Sequence, residues 1–197
     1  MIANRRLGLV IKLLENSQHA VTRYIVQAAM IAALYAGLTL AFAPISFSFI
    51  QLRIAEAFTI LPVFTPVAIP GLTIGCMLAN LFGVISSTNP LGFLDVFIGS
   101  GATLLSAILT YILRRLRIHS VPWASFLAPV FCNGLIVGTE LYAAKIFPST
   151  ISYGMSLFWI ALPEFIVICA LGVPLYLFIK KSPLLLRLLY GNKAPLL

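Results

Sequence analysis

Acidic residues are scarce in this sequence, whose 197 residues include five Asp and Glu against thirteen Lys and Arg. Charged residues of both signs make up only 9% of the chain, whereas a soluble domain carries roughly a quarter. Such a chain has too few polar side chains to cover a water-soluble surface. With 61% hydrophobic residues and a mean hydropathy of +1.06, the composition indicates an integral membrane protein.

Cysteine and histidine are also few. The three cysteines, Cys76, Cys132 and Cys169, lie in apolar stretches without CxxC or Cys/His spacing, which argues against a disulfide framework or a zinc site. The sequence lacks the GxxxxGK[ST] phosphate loop, the HExxH motif and the GxSxG motif. We therefore expect no metal, no cofactor and no enzymatic activity, and no ATP hydrolysis by the usual loop.

The long apolar stretches predict an all-α membrane protein with six spanning helices. A span needs about 20 mostly apolar residues, and fewer where polar groups face protein. Six segments qualify, the second being short: residues 24–42, 53–64, 69–85, 91–113, 121–146 and 153–179. We expect one six-helix domain over residues 21–182, a cytoplasmic or interfacial segment over residues 1–20 and a cytoplasmic tail over residues 183–197.

The distribution of basic residues predicts the orientation of these helices. With the N-terminus inside, only Arg53 and Lys145 lie outside, and eleven lie on the cytoplasmic side: Arg5, Arg6, Lys12, Arg23, Arg114, Arg115, Arg117, Lys180, Lys181, Arg187 and Lys193. This positive-inside bias requires an even number of spans, so both termini are predicted to be cytoplasmic. The bias also accounts for the net charge of +8 without a nucleic-acid partner.

Four of the five acids fall within or at the edges of predicted spans. An acid at the centre of a spanning helix costs about 2.5 to 3.5 kcal/mol, so it usually faces the interior and marks a site. In the predicted topology the four acids lie at similar depth in the outer half of the membrane. Together with nearby amides and one arginine they form a candidate substrate site: Gln51, Arg53, Glu56, Asn80, Asp95, Glu140 and Glu164.

The excess of acid over base in this layer predicts a ligand that is cationic or rich in N–H donors. Aromatic residues near the layer could stack on a flat ring, namely Phe93, Phe97, Tyr142, Tyr153 and Trp159. The alternative is that Arg53 pairs with Glu56, and Glu140 with Lys145, as purely structural or interfacial pairs.

Small residues give the first predicted helix a smooth face. They recur at helical spacing as Ala28, Ala29, Ala32, Ala33 and Ala36. Such a face allows close helix approach, either inside this protein or against a partner subunit.

Several motifs of this sequence resemble one known family. Gln51 to Ala57 reads QLRIAEA, and it is followed by Leu61-Pro62, Gly75-Cys76, Ala79-Asn80-Leu81, and Leu91-Gly92 through Asp95 to Gly99. These residues look like the QueT-type queuosine-precursor transporters, and the similarity spans about residues 24–180.

The resemblance implies a substrate-binding S-component of an energy-coupling factor (ECF) transporter in the plasma membrane. Such a subunit captures a vitamin-like micronutrient outside, here a 7-deazaguanine precursor of queuosine. The resemblance also implies that this subunit meets one transmembrane coupling subunit and two ATPases and then topples, which carries the bound substrate to the cytoplasm. The resemblance assigns docking on the coupling subunit to Ala28, Ala32 and Ala36, or to the adjacent Ala29 and Ala33 row.

Alternative functions stay open at this point. The same fold could carry a larger vitamin such as cobalamin. An autonomous transporter could use Glu56, Asp95, Glu140 or Glu164 as a proton relay, although no internal repeat is evident. A membrane enzyme is disfavoured because the polar layer offers no nucleophile paired with a base.

Overall fold

The computed structural model describes residues 2–48, 51–118 and 121–190 of the chain, with side chains from residue 18 onward. Regular structure over these ranges is helical, and one isolated bridge joins Ile118 and Val121. The α-helices are α1 (Ile2–Ala41), α2 (Ala43–Ser46), α3 (Ala68–Ile85), α4 (Phe93–Leu113), α5 (Trp123–Ala143), α6 (Tyr153–Val167), α7 (Val173–Lys181) and α8 (Pro183–Tyr190). A 3-10 helix, Ile54–Val63, precedes α3, and a π-helical turn, Ile168–Gly172, joins α6 to α7.

Five helical stretches are long and apolar enough to cross a membrane: Gln18–Ala41, Ala68–Ile85, Phe93–Leu113, Trp123–Ala143 and Tyr153–Lys181. They correspond to five of the six predicted spans, so the prediction of an all-helical membrane protein is confirmed. The remaining span, predicted over residues 53–64, is the ten-residue 3-10 helix. The α1 helix extends back to Ile2 without a break near residue 20, so the proposed division of the chain stays a prediction.

The α1 and α3 helices pack closely and run in the same direction. A Cβ on Gly71 would lie 2.9 Å from the Ala28 carbonyl oxygen, and one on Gly75 would lie 2.8 Å from that of Ala32. Only glycine permits this approach, and the contact advances toward the C-terminus on both helices. The chain between α1 and α3 therefore returns along the length of the bundle.

The returning segment is the 3-10 helix, and it lies in the interior. Eight of its ten residues are buried. A 3-10 backbone has poorer hydrogen-bond geometry than an α-helix, and irregular backbone is tolerated at membrane depth where protein surrounds it. Burial therefore explains how a non-α segment can occupy this position.

The α4, α5 and α6 helices form an antiparallel series beside this segment. The Thr110 hydroxyl donates to the Ser125 carbonyl oxygen at 3.1 Å, and the Ser125 hydroxyl donates to the Thr110 carbonyl oxygen at 2.9 Å. These two hydrogen bonds join α4 to α5. On α5, Gly134 lies against Ala161 of α6, and Gly138 against Leu157. The α5 helix is the most buried of the five long stretches, because 67% of the residues in its most apolar 18-residue segment are buried. It is therefore a central helix of the bundle.

The C-terminal helix α8 folds back against the middle of α1. Arg23 donates through Nη2 to the carbonyl oxygens of Arg187 and Leu188, both at 2.8 Å. The Gln27 amide donates to the same Leu188 carbonyl. Carbonyls in the last turn of a helix have no partners within it, so a cation here satisfies them. These contacts hold α8 at the end of the bundle that contains Arg23.

Candidate functional site

Arg53 and Asp95 form a buried ion pair at the start of the 3-10 helix. Arg53 Nη2 lies 3.4 Å from Asp95 Oδ2, and the two side chains are 6% and 0% exposed. Asn89 Nδ2 donates to the same carboxylate oxygen at 2.7 Å. Asp95 lies in the first turn of α4, where the helix dipole also stabilises a negative charge.

Arg53 is held by further contacts from two segments, the end of α2 and helix α3. Its Nε donates to the Ser46 carbonyl at 3.4 Å, its Nη1 approaches Cys76 Sγ at 3.7 Å, and its guanidinium lies 5.4 Å from the centre of the Phe47 ring. The guanidinium therefore has a defined position between α2, α3 and α4. This is the arrangement expected of a positioned group rather than of a solvated surface arginine.

The two structural pairs considered as the alternative, Arg53 with Glu56 and Glu140 with Lys145, are not formed among the described residues. Within residues 18–48, 51–118 and 121–190, Arg53–Asp95 is the only acid–base pair within 4.0 Å. Arg53 thus bonds to Asp95 rather than to Glu56, and Glu140 does not bond to Lys145. Lys145 lies beyond the end of α5 and is exposed, whereas Glu140 lies within the helix and is 8% exposed, so the two side chains do not meet.

Asn80 connects α3 to the Arg53–Asp95 pair. Its Nδ2 donates to the Asp95 main-chain carbonyl at 2.8 Å. A Cβ on Gly99 would lie 2.8 Å from Asn80 Nδ2 and would collide with Asp95 Oδ1. Glycine at position 99 therefore leaves room for these polar groups between α3 and α4.

Glu56 and Glu164 form a second part of the cluster. The Tyr35 hydroxyl of α1 donates to Glu56 Oε1, and Glu56 is 1% exposed. Glu164 of α6 is 5% exposed, and the Asn133 side chain of α5 lies close to both carboxyl groups. The sequence prediction missed Tyr35 and Asn133. An amide within an apolar span was the available signal for Asn133, whereas Tyr35 resembles an ordinary core aromatic.

All seven residues predicted for the substrate site are buried, at 0% to 8% exposure. The four acids lie within electrostatic range of the single Arg53 guanidinium. Four carboxyl groups around one cation leave an excess of acceptors. In the described part of the chain, no group of three or more His, Cys, Asp or Glu side chains has the arrangement of a metal site.

Many polar atoms of this cluster have no hydrogen-bond partner among the described residues. They include Asp95 Oδ1, Asn80 Oδ1, Gln51 Nε2, Glu56 Oε2, Glu164 Oε1 and both carboxylate oxygens of Glu140. A buried polar group without a partner costs about 1 to 3 kcal/mol, so such atoms are rare unless a function requires them. Most of these atoms are acceptors, and together they suit a ligand that supplies N–H groups.

The candidate stacking aromatics are mostly outside the cluster. Phe93 and Phe97 pack on each other, with ring centres 6.0 Å apart, and are 59% and 62% exposed. Tyr142 and Tyr153 contact each other edge to face, with ring centres 5.4 Å apart, and are also exposed. Trp159 differs, since its Nε1 is buried without a partner among the described residues. Of the five, Trp159 is the one with a buried unpaired donor.

The alanines of α1 divide into two rows. Ala32 and Ala36 are 4% and 8% exposed, and Ala28 and Ala32 contact the glycines of α3. Ala29 and Ala33 are exposed on the other side of the helix. The first row is therefore occupied by internal packing in this structure, and the second is accessible to a partner.

These features define a helical integral membrane protein with a buried, acid-rich polar site at its centre. The QueT transporter family model matches residues 25–181, which include every residue of the site. The chain belongs to the QueT transporter family and is thus a transport protein. No curated protein and no solved structure matches it.

Proposed function

We propose that the chain is the substrate-binding S-component of an ECF transporter, importing a 7-deazaguanine precursor of queuosine. The observation that supports this most directly is the buried cluster with unpaired acceptors on Glu56, Glu140 and Glu164. The family match to QueT transporters supports a transport role for that cluster.

The chemistry of the cluster favours a compact, donor-rich substrate. Carboxylates accept N–H donors strongly, and a guanine-like edge or an aminomethyl cation supplies them. We assign substrate contacts to the acids that have unpaired oxygens and no ion-pair partner among the described residues, Glu56, Glu140 and Glu164, with Asn133 between two of them. Arg53, Asp95 and Asn80 shape the adjoining wall, and Gln51 closes the site from the first loop. Because the unpaired atoms are fully buried, a small ring fits this arrangement better than cobalamin does.

We propose six crossings of the plasma membrane, with both termini in the cytoplasm and the 3-10 helix as the second crossing. Two parallel helices, α1 and α3, require a return segment between them. Ten residues of 3-10 helix rise roughly 20 Å, which covers most of a hydrocarbon core of about 30 Å. Arg23, Arg114 and Arg187 then lie on the cytoplasmic side, in agreement with the positive-inside rule.

The partners in this proposal are one transmembrane coupling subunit and two ATPases. The exposed Ala29 and Ala33 row offers the coupling subunit a surface on which helices approach closely. The Ala28, Ala32 and Ala36 row is left to the contact with α3.

The first experiment is calorimetric titration of the purified protein in detergent, without ATP. The ligands are 7-aminomethyl-7-deazaguanine and, as the contrasting ligand, cobalamin. Saturable binding of the deazaguanine supports the proposal. Binding of cobalamin alone keeps the S-component role and rejects the substrate, whereas binding of neither rejects both.

A second experiment separates ATP coupling from proton coupling. Uptake of the labelled ligand is measured in vesicles that contain the chain with or without the coupling subunit and ATPases. Uptake that requires the complete module and ATP supports the S-component role. Uptake by the chain alone under a proton gradient contradicts it and indicates a secondary transporter.

A further inference from the structure

A cleft opens at the end of the bundle that contains Arg23, far from the acid-rich cluster. Its volume is about 400 Å³. The polar side chains that line it are Arg23, Tyr24, Gln27, Thr65, Tyr111, Arg114 and Tyr190. No acid lines this cleft in the described part of the chain. It is therefore a cationic cleft with aromatic walls, and the transport proposal does not use it.

Each arginine of the cleft is held by contacts with a different helix, Arg23 by contacts with α8 and Arg114 by contacts with Tyr111 of α4. Arg23 uses Nη2 for the last carbonyls of α8, and neither of these bonds involves Nη1 or Nε. The Arg114 guanidinium lies 3.6 Å from the centre of the Tyr111 ring and donates through Nη1 to the Tyr111 carbonyl. Both contacts leave N–H groups for a further acceptor, since a guanidinium carries five.

An apolar groove of about 190 Å³ adjoins the cationic cleft. The two cavities share Gln27 and Leu189 as wall residues. The other groove walls are apolar and include Met30 and Leu34 of α1 and Phe178 of α7. Met30, Leu34 and Phe178 are 52%, 57% and 64% exposed. The groove therefore opens on the lateral surface of helices that cross the bilayer.

We propose that the cleft and the groove together bind one anionic phospholipid of the inner leaflet. The phosphate lies between Arg23 and Arg114, and one acyl chain lies along Met30, Leu34 and Phe178. Arginine binds phosphate with several N–H groups, and basic pockets between helices at the cytoplasmic surface suit anionic headgroups. A free phosphate compound fits the cleft but leaves the groove uncovered, so the adjoining groove favours a lipid.

The test measures lipid binding to the detergent-purified full chain by native mass spectrometry. The probes are dioleoyl phosphatidylglycerol, dioleoyl phosphatidylcholine and glycerol phosphate, which is a headgroup without chains. We expect retention of phosphatidylglycerol only. Equal retention of phosphatidylcholine rejects a charge-selective site, and retention of glycerol phosphate to the same extent as phosphatidylglycerol rejects the acyl groove.

Two variants test the two halves separately. Arg114→Gln leaves the Arg23 bonds to α8 in place and should lower phosphatidylglycerol retention about fivefold, the effect of one arginine at an anionic surface. Its control is the exposed neighbour Arg115→Gln, which does not line the cleft.

Leu34→Trp should narrow the groove and lower retention as well, with Ile112→Trp on α4 as the control. Retention in Arg114→Gln equal to that in Arg115→Gln rejects the proposal.

Discussion

Arg53 lies at the start of the 3-10 helix and Asp95 in the first turn of α4, and the two form an ion pair across 3.4 Å in the interior. Asn89 donates to the same carboxylate oxygen, and Asn80 to the Asp95 main chain. Most bonds around Asp95 are thus formed within the protein. Asp95 Oδ1 also lacks a partner, but Glu56, Glu140 and Glu164 have unpaired oxygens and, among the described residues, no cation within 4.0 Å. The acids predicted to act alike therefore have different surroundings, and different effects of substitution follow.

Replacing Asp95 should destabilise the fold. Asp95→Asn leaves the Arg53 charge buried without its partner, and breaking a buried pair costs about 3 to 5 kcal/mol. Thermal unfolding of the purified protein in detergent measures the loss. The double variant Arg53→Met, Asp95→Leu removes both charges and should recover most of the stability. Equal unfolding temperatures for wild type and Asp95→Asn would show that the pair contributes little.

Replacing Glu164 should weaken ligand binding with little effect on folding. The Gln side chain of Glu164→Gln is similar in shape but loses the charge that accepts ligand N–H groups, so we expect about a tenfold or larger rise in Kd. Calorimetry with the deazaguanine measures it, and Glu15→Gln, at the acid outside the predicted spans, is the control. Unchanged affinity in Glu164→Gln would remove this acid from the substrate site.

Gly75→Ala should disturb the contact between α1 and α3. The added Cβ would lie 2.8 Å from the Ala32 carbonyl oxygen and 3.0 Å from its Cα, both main-chain atoms that cannot simply rotate away. We expect a loss of about 1 to 3 kcal/mol by overpacking, measured by thermal unfolding.

Gly101→Ala on α4 is the matched control for this substitution. A Cβ at Gly101 meets no atom within 4 Å. Alanine there should stabilise the helix by up to about 1 kcal/mol, so the two substitutions should have opposite signs. A stabilised Gly75→Ala variant would show that α1 and α3 are not in close contact.

Ala33→Trp should prevent docking on the coupling subunit while leaving substrate binding unchanged. The residue is exposed on the second alanine row, where a large side chain separates approaching helices. We expect about tenfold or greater weakening of the complex, a loss of ~1.4 kcal/mol or more. Co-purification of tagged ATPases from membranes measures it, and Ile112→Trp serves as the exposed control. Normal co-purification of Ala33→Trp would place the docking surface elsewhere.

Hydropathy and charge distribution in the sequence alone were sufficient to predict an all-helical membrane protein, its five long helical stretches and seven buried polar residues. This succeeded because hydrophobicity is a local property that a window of about 20 residues averages. Buried acids are likewise conspicuous in a chain that has only five.

Tertiary structure alone decided which of these groups meet. It paired Arg53 with Asp95 instead of Glu56, added Tyr35 and Asn133 to the cluster, and turned one alanine row inward and the other outward. It also made residues 54–63 a 3-10 helix. These outcomes depend on how each helix is rotated and which distant segment surrounds it. Neighbours in the sequence do not determine that rotation, because it is set by the packing of the whole bundle.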